Sequence, residues 1–179
     1  MHLLRAVGRG AIAGTVATVA MSVPMLAATR LGLVREQAPT QITDRLLQRF
    51  GLADAVSDEA TRDALAAANH VAFGAVGGAG FALLTKRLPR SIPLIPAGMA
   101  YALGIWAISY AGWAPVLRLM PPPEKDEPAR PVLVIAAHLV YGGVLGALTP
   151  KRAARGKRAA ARKRAAERRR VARAAGTTG

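Results

Sequence analysis

Residues 64–85 read ALAAANHVAFGAVGGAGFALLT, 22 residues without an Asp, Glu, Lys or Arg. The stretch is rich in Ala and Gly and lacks period-two alternation, so it reads as helix rather than strand. At the helical rise it is ~33 Å long, enough to cross the ~30 Å hydrocarbon core of a bilayer. Three similar runs accompany it. Twenty uncharged residues separate Arg9 from Arg30, 27 separate Arg90 from Arg118, and 20 separate Arg130 from Lys151. The charges of the 179-residue chain, 25 basic and 10 acidic, are therefore confined to the other half of it. A water-soluble domain would spread them over the outer face of every helix. The expected fold class is all-α, a four-transmembrane-helix bundle with spans at about 11–33, 64–85, 92–117 and 131–149. Residues 1–150 would form this membrane domain and 151–179 a basic tail, disordered or marginally helical.

The connections assign a direction. The N-terminus carries Arg5 and Arg9 without an acid, and the second connection carries Lys86, Arg87 and Arg90 without one. The tail carries twelve basic residues and only Glu167 against them. The first connection, Arg35 to Asp63, holds four basic and six acidic residues; the third, Arg118 to Arg130, holds three of each. Cytoplasmic loops collect Lys and Arg, so both termini and the 86–90 loop are expected in the cytoplasm and the other two connections outside. The first run is expected to remain as an anchor, since it is longer than a signal-peptide core and no small-x-small cleavage site follows it.

The first connection begins as an amphipathic helix after Pro39 and Thr40. Ile42, Leu46, Leu47 and Phe50 share one side, and Gln41, Asp44, Arg45 and Gln48 the other. It would lie in the headgroup region or cap the end of the bundle. Pro121, Pro122 and Pro123 stiffen the third connection. Helix association in lipid depends on small residues that let backbones approach. The expected small faces are Gly10, Gly14, Thr18 and Ser22 in span one and Gly74 and Gly78 in span two. Span three offers Ala100 and Gly104, and span four Gly142 and Gly146. Pro24 should loosen span one locally.

Spans two and four share a motif, His-x2-aromatic-Gly-x3-Gly: His70, Phe73, Gly74, Gly78 and His138, Tyr141, Gly142, Gly146. His and both Gly stand at i, i+4 and i+8 on one face. The imidazoles fall ~9 and ~10 Å below the outer ends of parallel helices, so the chain reads as two related hairpins. An ionisable group inside a membrane is costly and is a candidate site. Three readings stay open. Each neutral His is interhelical glue, with Ser109 and Tyr110 as partners by depth. Alternatively the pair ligates haem or a divalent metal, with Met25 as a further soft ligand. Or His70, Ser109, Tyr110 and His138 line a path for a small solute, as in a permeation or stress-tolerance protein. No Asp or Glu lies in any span, which argues against proton-coupled export. There is no cysteine, so disulfide-shuttling membrane enzymes and thiolate metal sites are excluded. No nucleophile–base–acid set or phosphate loop is visible, and the chain is expected to be non-catalytic and without a bound cofactor.

The small stripe Gly10–Ser22, the Pro39–Ile42 segment, His70-x2-Phe73-Gly74, Trp106 with Trp113 and Pro115, and His138-x2-Tyr141-Gly142 together resemble the YagU-like group of small bacterial inner-membrane proteins. The resemblance covers about residues 8–150. It implies four spans in the bacterial inner membrane and transfers no catalytic residue.

The tail places Lys151, Arg152, Arg155, Lys157, Arg158, Arg162, Lys163, Arg164, Arg168, Arg169 and Arg170 among alanines. It has no apolar face with which to insert. It either stays solvated and holds the C-terminus inside, or lies on anionic lipid headgroups, at about 1 kcal/mol per basic residue near the surface. Nucleic acid is the partner that a net charge of +15 invites, but four uncharged runs and only eight aromatic residues argue against it. A second copy of the chain or another membrane protein remains open as a partner.

Overall fold

The computed structural model describes residues 2–89, 91–150 and 164–167. Among them every regular element is helical: α1 (His2–Arg30), α2 (Ala38–Arg49), α3 (Glu59–Leu84), α4 (Leu94–Ile108), a π-helical segment (Ser109–Trp113) leading into α5 (Ala114–Val116), a 3-10 turn (Pro123–Lys125) and α6 (Ala129–Leu148). Four of these stretches are long and apolar enough to cross a membrane: Leu3–Arg30, Glu59–Leu84, Leu94–Val116 and Ala129–Leu148. They form one unit, residues 1–88 and 92–149. Residues 89–91 and 150–179 form a second, within which 164–167 are helical and exposed, Arg164 included. The other tail cations named above lie outside the described residues.

Local chemistry explains the helix ends. Asp58 caps α3, accepting from the Thr61 amide at 2.8 Å and the Thr61 hydroxyl at 2.7 Å. These two bonds hold its carboxyl below the usual aspartate range. Helix α1 ends where Gly32 takes φ 71°. The Gly32 amide then bonds the Thr29 carbonyl and the Leu33 amide bonds that of Ala28, both at 3.0 Å. Helix α2 ends in the same way at Gly51, with φ 67°. Helix α5 repeats the closure with the Arg118 amide on Pro115 and the Leu119 amide on Ala114, both at 2.9 Å, but here the left-handed residue is Arg118, with φ 56°.

The interior is small and the exterior large. Along α1, Ala13, Gly14, Ala17 and Thr18 are buried, whereas Ile12, Val16, Val19 and Val23 are exposed. Helices α1 and α3 cross backbone to backbone. A Cβ on Gly14 would strike the Gly74 carbonyl oxygen, and one on Gly78 would strike the Gly10 carbonyl oxygen. Thr18 folds its hydroxyl onto the Gly14 carbonyl at 2.8 Å and sits where a Gly74 side chain would be, while Ser22 bonds the Thr18 carbonyl at 2.9 Å. Helices α4 and α6 repeat the arrangement: a Cβ on Gly98 would meet the Gly142 carbonyl oxygen, and one on Gly146 that of Leu94. Helices α1 and α6 join the two pairs.

Span three corrects one expectation. Ala100 and Gly104 face outward, and nothing lies within 4 Å of a Cβ on Gly104. The packed face is Gly98, Ala102 and Ile105. Two small stripes run down this helix, and only the one containing Gly98 is in register with Gly142 and Gly146.

Candidate functional site

The five polar or soft residues singled out in the spans, Met25, His70, Ser109, Tyr110 and His138, line one cavity of about 320 Å³. Its walls come from α1, α3, the end of α4, the π segment and α6, with Thr18, Met21, Phe73, Ile105, Trp113 and Val134 as prominent neighbours. Ala38, Pro39, Ile42 and Leu46 of α2 close one side. The apolar stripe of α2 thus divides, for Phe50 is 71% exposed while Ile42 and Leu46 line the cavity.

The histidines do not make the interhelical bonds expected of them. His138 Nδ1 lies 2.8 Å from the Val134 carbonyl of its own helix, which makes Nδ1 the protonated nitrogen and leaves Nε2 as the acceptor. His70 Nε2 is buried without a hydrogen-bond partner among the described residues. Ser109 donates to its own helix, to the Ile105 carbonyl at 2.7 Å. Tyrosines link the helices instead. Tyr141 donates to the Gly74 carbonyl at 2.7 Å and Tyr101 to that of Gly77 at 2.9 Å. Gly74, which lets α1 and α3 approach, also exposes the carbonyl that Tyr141 reaches. Tyr141 belonged to the repeated motif, but its role was hidden there behind the histidine.

Tyr110 donates to Asp126 and not to either histidine. Asp126 belongs to a polar cluster that counting loop charges could not reveal. Arg130, only 2% exposed, bonds Asp126 Oδ1 at 2.7 Å and Glu127 Oε1 at 2.9 Å. Its guanidinium also reaches the Gln41 side-chain oxygen at 3.1 Å and the Glu36 carbonyl at 3.0 Å. The Arg35 amide meets Glu127 Oε2 at 3.0 Å. At the other end of α2, Arg49 donates to the Leu117 carbonyl at 3.3 Å. Helix α2 is thereby held at both ends beside the cavity. The one signal in the sequence was the i, i+3 and i, i+4 spacing of Glu127 and Asp126 to Arg130.

A second, polar pocket abuts the first and shares Leu119 and Met120 with it. Glu36, Asp44, Arg45 and Arg118 bring charge of both signs to it. Burial pushes the Glu36 carboxyl above its ordinary range; the Gln41 side chain opposes this and Asp44 adds to it. Among the described residues no group of three or more His, Cys, Asp or Glu is placed to hold a metal ion.

The fold and cavity define an all-helical protein with four helices of membrane-crossing length around an apolar chamber that contains two imidazoles. The chain belongs to the family of unknown function DUF6789, whose model matches residues 4–159. That match gives no support to the finer likeness to the YagU-like group. No curated protein and no solved structure matches the chain.

Proposed function

We propose that this is a multi-pass, non-catalytic protein of the bacterial inner membrane that holds an apolar or amphiphilic small molecule in its chamber. The loop charges support both termini in the cytoplasm, with α2 and the third connection outside. The basic tail would then rest on anionic headgroups of the inner leaflet. One observation carries the reading: an apolar chamber of about 320 Å³ is lined by His70, whose buried Nε2 has no hydrogen-bond partner among the described residues. Sites for small ligands are concave and mostly apolar, with a few polar groups that orient the guest. A donor on the guest would satisfy the nitrogen, which otherwise bears an uncompensated desolvation cost. Histidines serving only as glue would have partners on neighbouring helices.

The test is native mass spectrometry of protein released from membranes in mild detergent. The expected result is one small-molecule adduct that survives removal of surface lipid. It should be lost in Ser109→Phe and weakened in the milder Ser109→Leu, with both variants monodisperse. A bare wild-type protein that also takes up no added single-chain amphiphile would overturn the proposal.

A second reading is favoured by His138. A histidine that ligates a metal usually donates its other nitrogen to a carbonyl or carboxylate, as His138 does to Val134. Haem or a divalent metal between His70 and His138 would use this geometry. Elemental analysis of untagged protein decides it: about one metal per chain, lost in His70→Ala/His138→Ala, is required.

A further inference from the structure

We infer that the apolar chamber and the adjoining polar pocket are two halves of one site for a single-chain zwitterionic phospholipid, with the acyl chain in the chamber and an ammonium and phosphate headgroup in the pocket. This rests on the chamber reading above and names its ligand class.

Helix α2 stands between the halves and sorts them. Its Pro39, Ile42 and Leu46 line the chamber, and its Gln41, Asp44, Arg45 and Gln48 line the pocket. The shared walls are Leu119 and Met120. Methionine is unbranched and changes rotamer readily, so this partition yields to a chain passing through it.

The headgroup class follows from the charges. Glu36, Asp44, Arg45 and Arg118 converge on one pocket, yet none of them forms an ion pair with another. Among the described residues the Arg45 side chain hydrogen-bonds only Gln48, at 3.4 Å. Asp44 Oδ1 is buried without a hydrogen-bond partner among the described residues. Two carboxyl groups and two guanidiniums that form no ion pair suit a guest with a charge of each sign: an ammonium for the acids and a phosphate for the guanidiniums. A purely anionic or purely cationic headgroup would leave one pair opposed by its own kind.

Arg118 adds an independent observation. Three helices close with a left-handed residue, and the other two use Gly32 and Gly51. An L-residue is strained there, and strain of this kind persists where a side chain is needed. Arg118 makes no side-chain hydrogen bond among the described residues and borders the pocket, so its guanidinium is available to a phosphate.

The experiment titrates the full chain in detergent with three probes of equal chain length, read by native mass spectrometry: lysophosphatidylethanolamine, lysophosphatidylglycerol and the fatty alcohol. The expected preference for the zwitterion over the anionic probe is about tenfold, the scale of one hydrogen bond to a charged group. Asp44→Asn and Arg118→Gly should each remove most of that preference and leave alcohol binding unchanged. Ser109→Phe should abolish binding of all three. If all probes bind alike and the pocket variants change nothing, or if the anionic probe binds best, the headgroup assignment is overturned while the chamber stands. If no probe binds to correctly folded protein, the chamber reading falls with it.

Discussion

Arg118 and Glu36 are held in conformations or protonation states that cost stability, and each cost can be measured. A left-handed backbone is strained for arginine and relaxed for glycine. Arg118→Gly should therefore raise stability by about 1 kcal/mol, seen as a higher thermal midpoint in detergent, while it weakens the pocket. A lower midpoint would show that the guanidinium itself stabilises the fold. Glu36 has a raised carboxyl pKa, with burial as the main cause. The folded state therefore favours its protonated form. The resulting stabilisation is complete below the ordinary value of 4.5 and is lost as pH rises through the raised one. Glu36→Gln should be more stable than the parent at neutral pH, and the difference should vanish below pH 4.5. Arg130 is the opposite case, a buried charge whose two terminal nitrogens meet Asp126, Glu127, Gln41 and the Glu36 carbonyl. Its removal strands Asp126 in the interior, and Arg130→Met should cost about 3 kcal/mol.

The consequence of Arg130→Met reaches the element, because the guanidinium ties α2 to the start of α6 through Gln41 and the Glu36 carbonyl. Amide exchange in residues 38–49 should accelerate in this variant while α3 keeps its protection. Uniform loss of protection would mean that α2 is not a separable latch. The helix crossings supply a second contrast. At Gly98, Gly14 or Gly78 a side chain would collide with backbone, so Gly98→Leu should disrupt the fold. Gly104→Leu should be neutral, because nothing occupies that space. Equal damage at the two sites would mean that span three packs through its other stripe. The π-helical turn at Ser109–Trp113 rotates the end of this span, and both Tyr110 and Trp113 line the chamber. A widened turn of this type is frequent at functional sites.

On the scale of the whole molecule, the small interior and the large apolar exterior suit a lipid solvent, where close backbone packing replaces hydrophobic burial. Reporter fusions after Arg90 and after Gly179 should report cytoplasm, and fusions at Asp54 and Glu124 should report outside. A C-terminus on the outer face would overturn the charge argument.

Charge-free runs and helical length are properties of contiguous sequence, so the number, length and order of the long helices could be read directly, to within a few residues at most ends. The residues that came to line the chamber were visible for the same reason. A polar group inside an apolar run stands out at once, as His70 and His138 did. Their bonding could not be read, because it depends on helix rotation and on which carbonyls are exposed. The same rotation decided between the Gly98 and Gly104 stripes and gave the interhelical bonds to Tyr101 and Tyr141. The Arg130 cluster was likewise out of reach. Arg130 looked like one more loop charge until the third connection folded Asp126 and Glu127 against it and brought Glu36 and Gln41 from 94 and 89 residues away. Patterns along the chain record what each segment must bury or expose, whereas the partners of a buried polar atom are chosen only when distant segments meet.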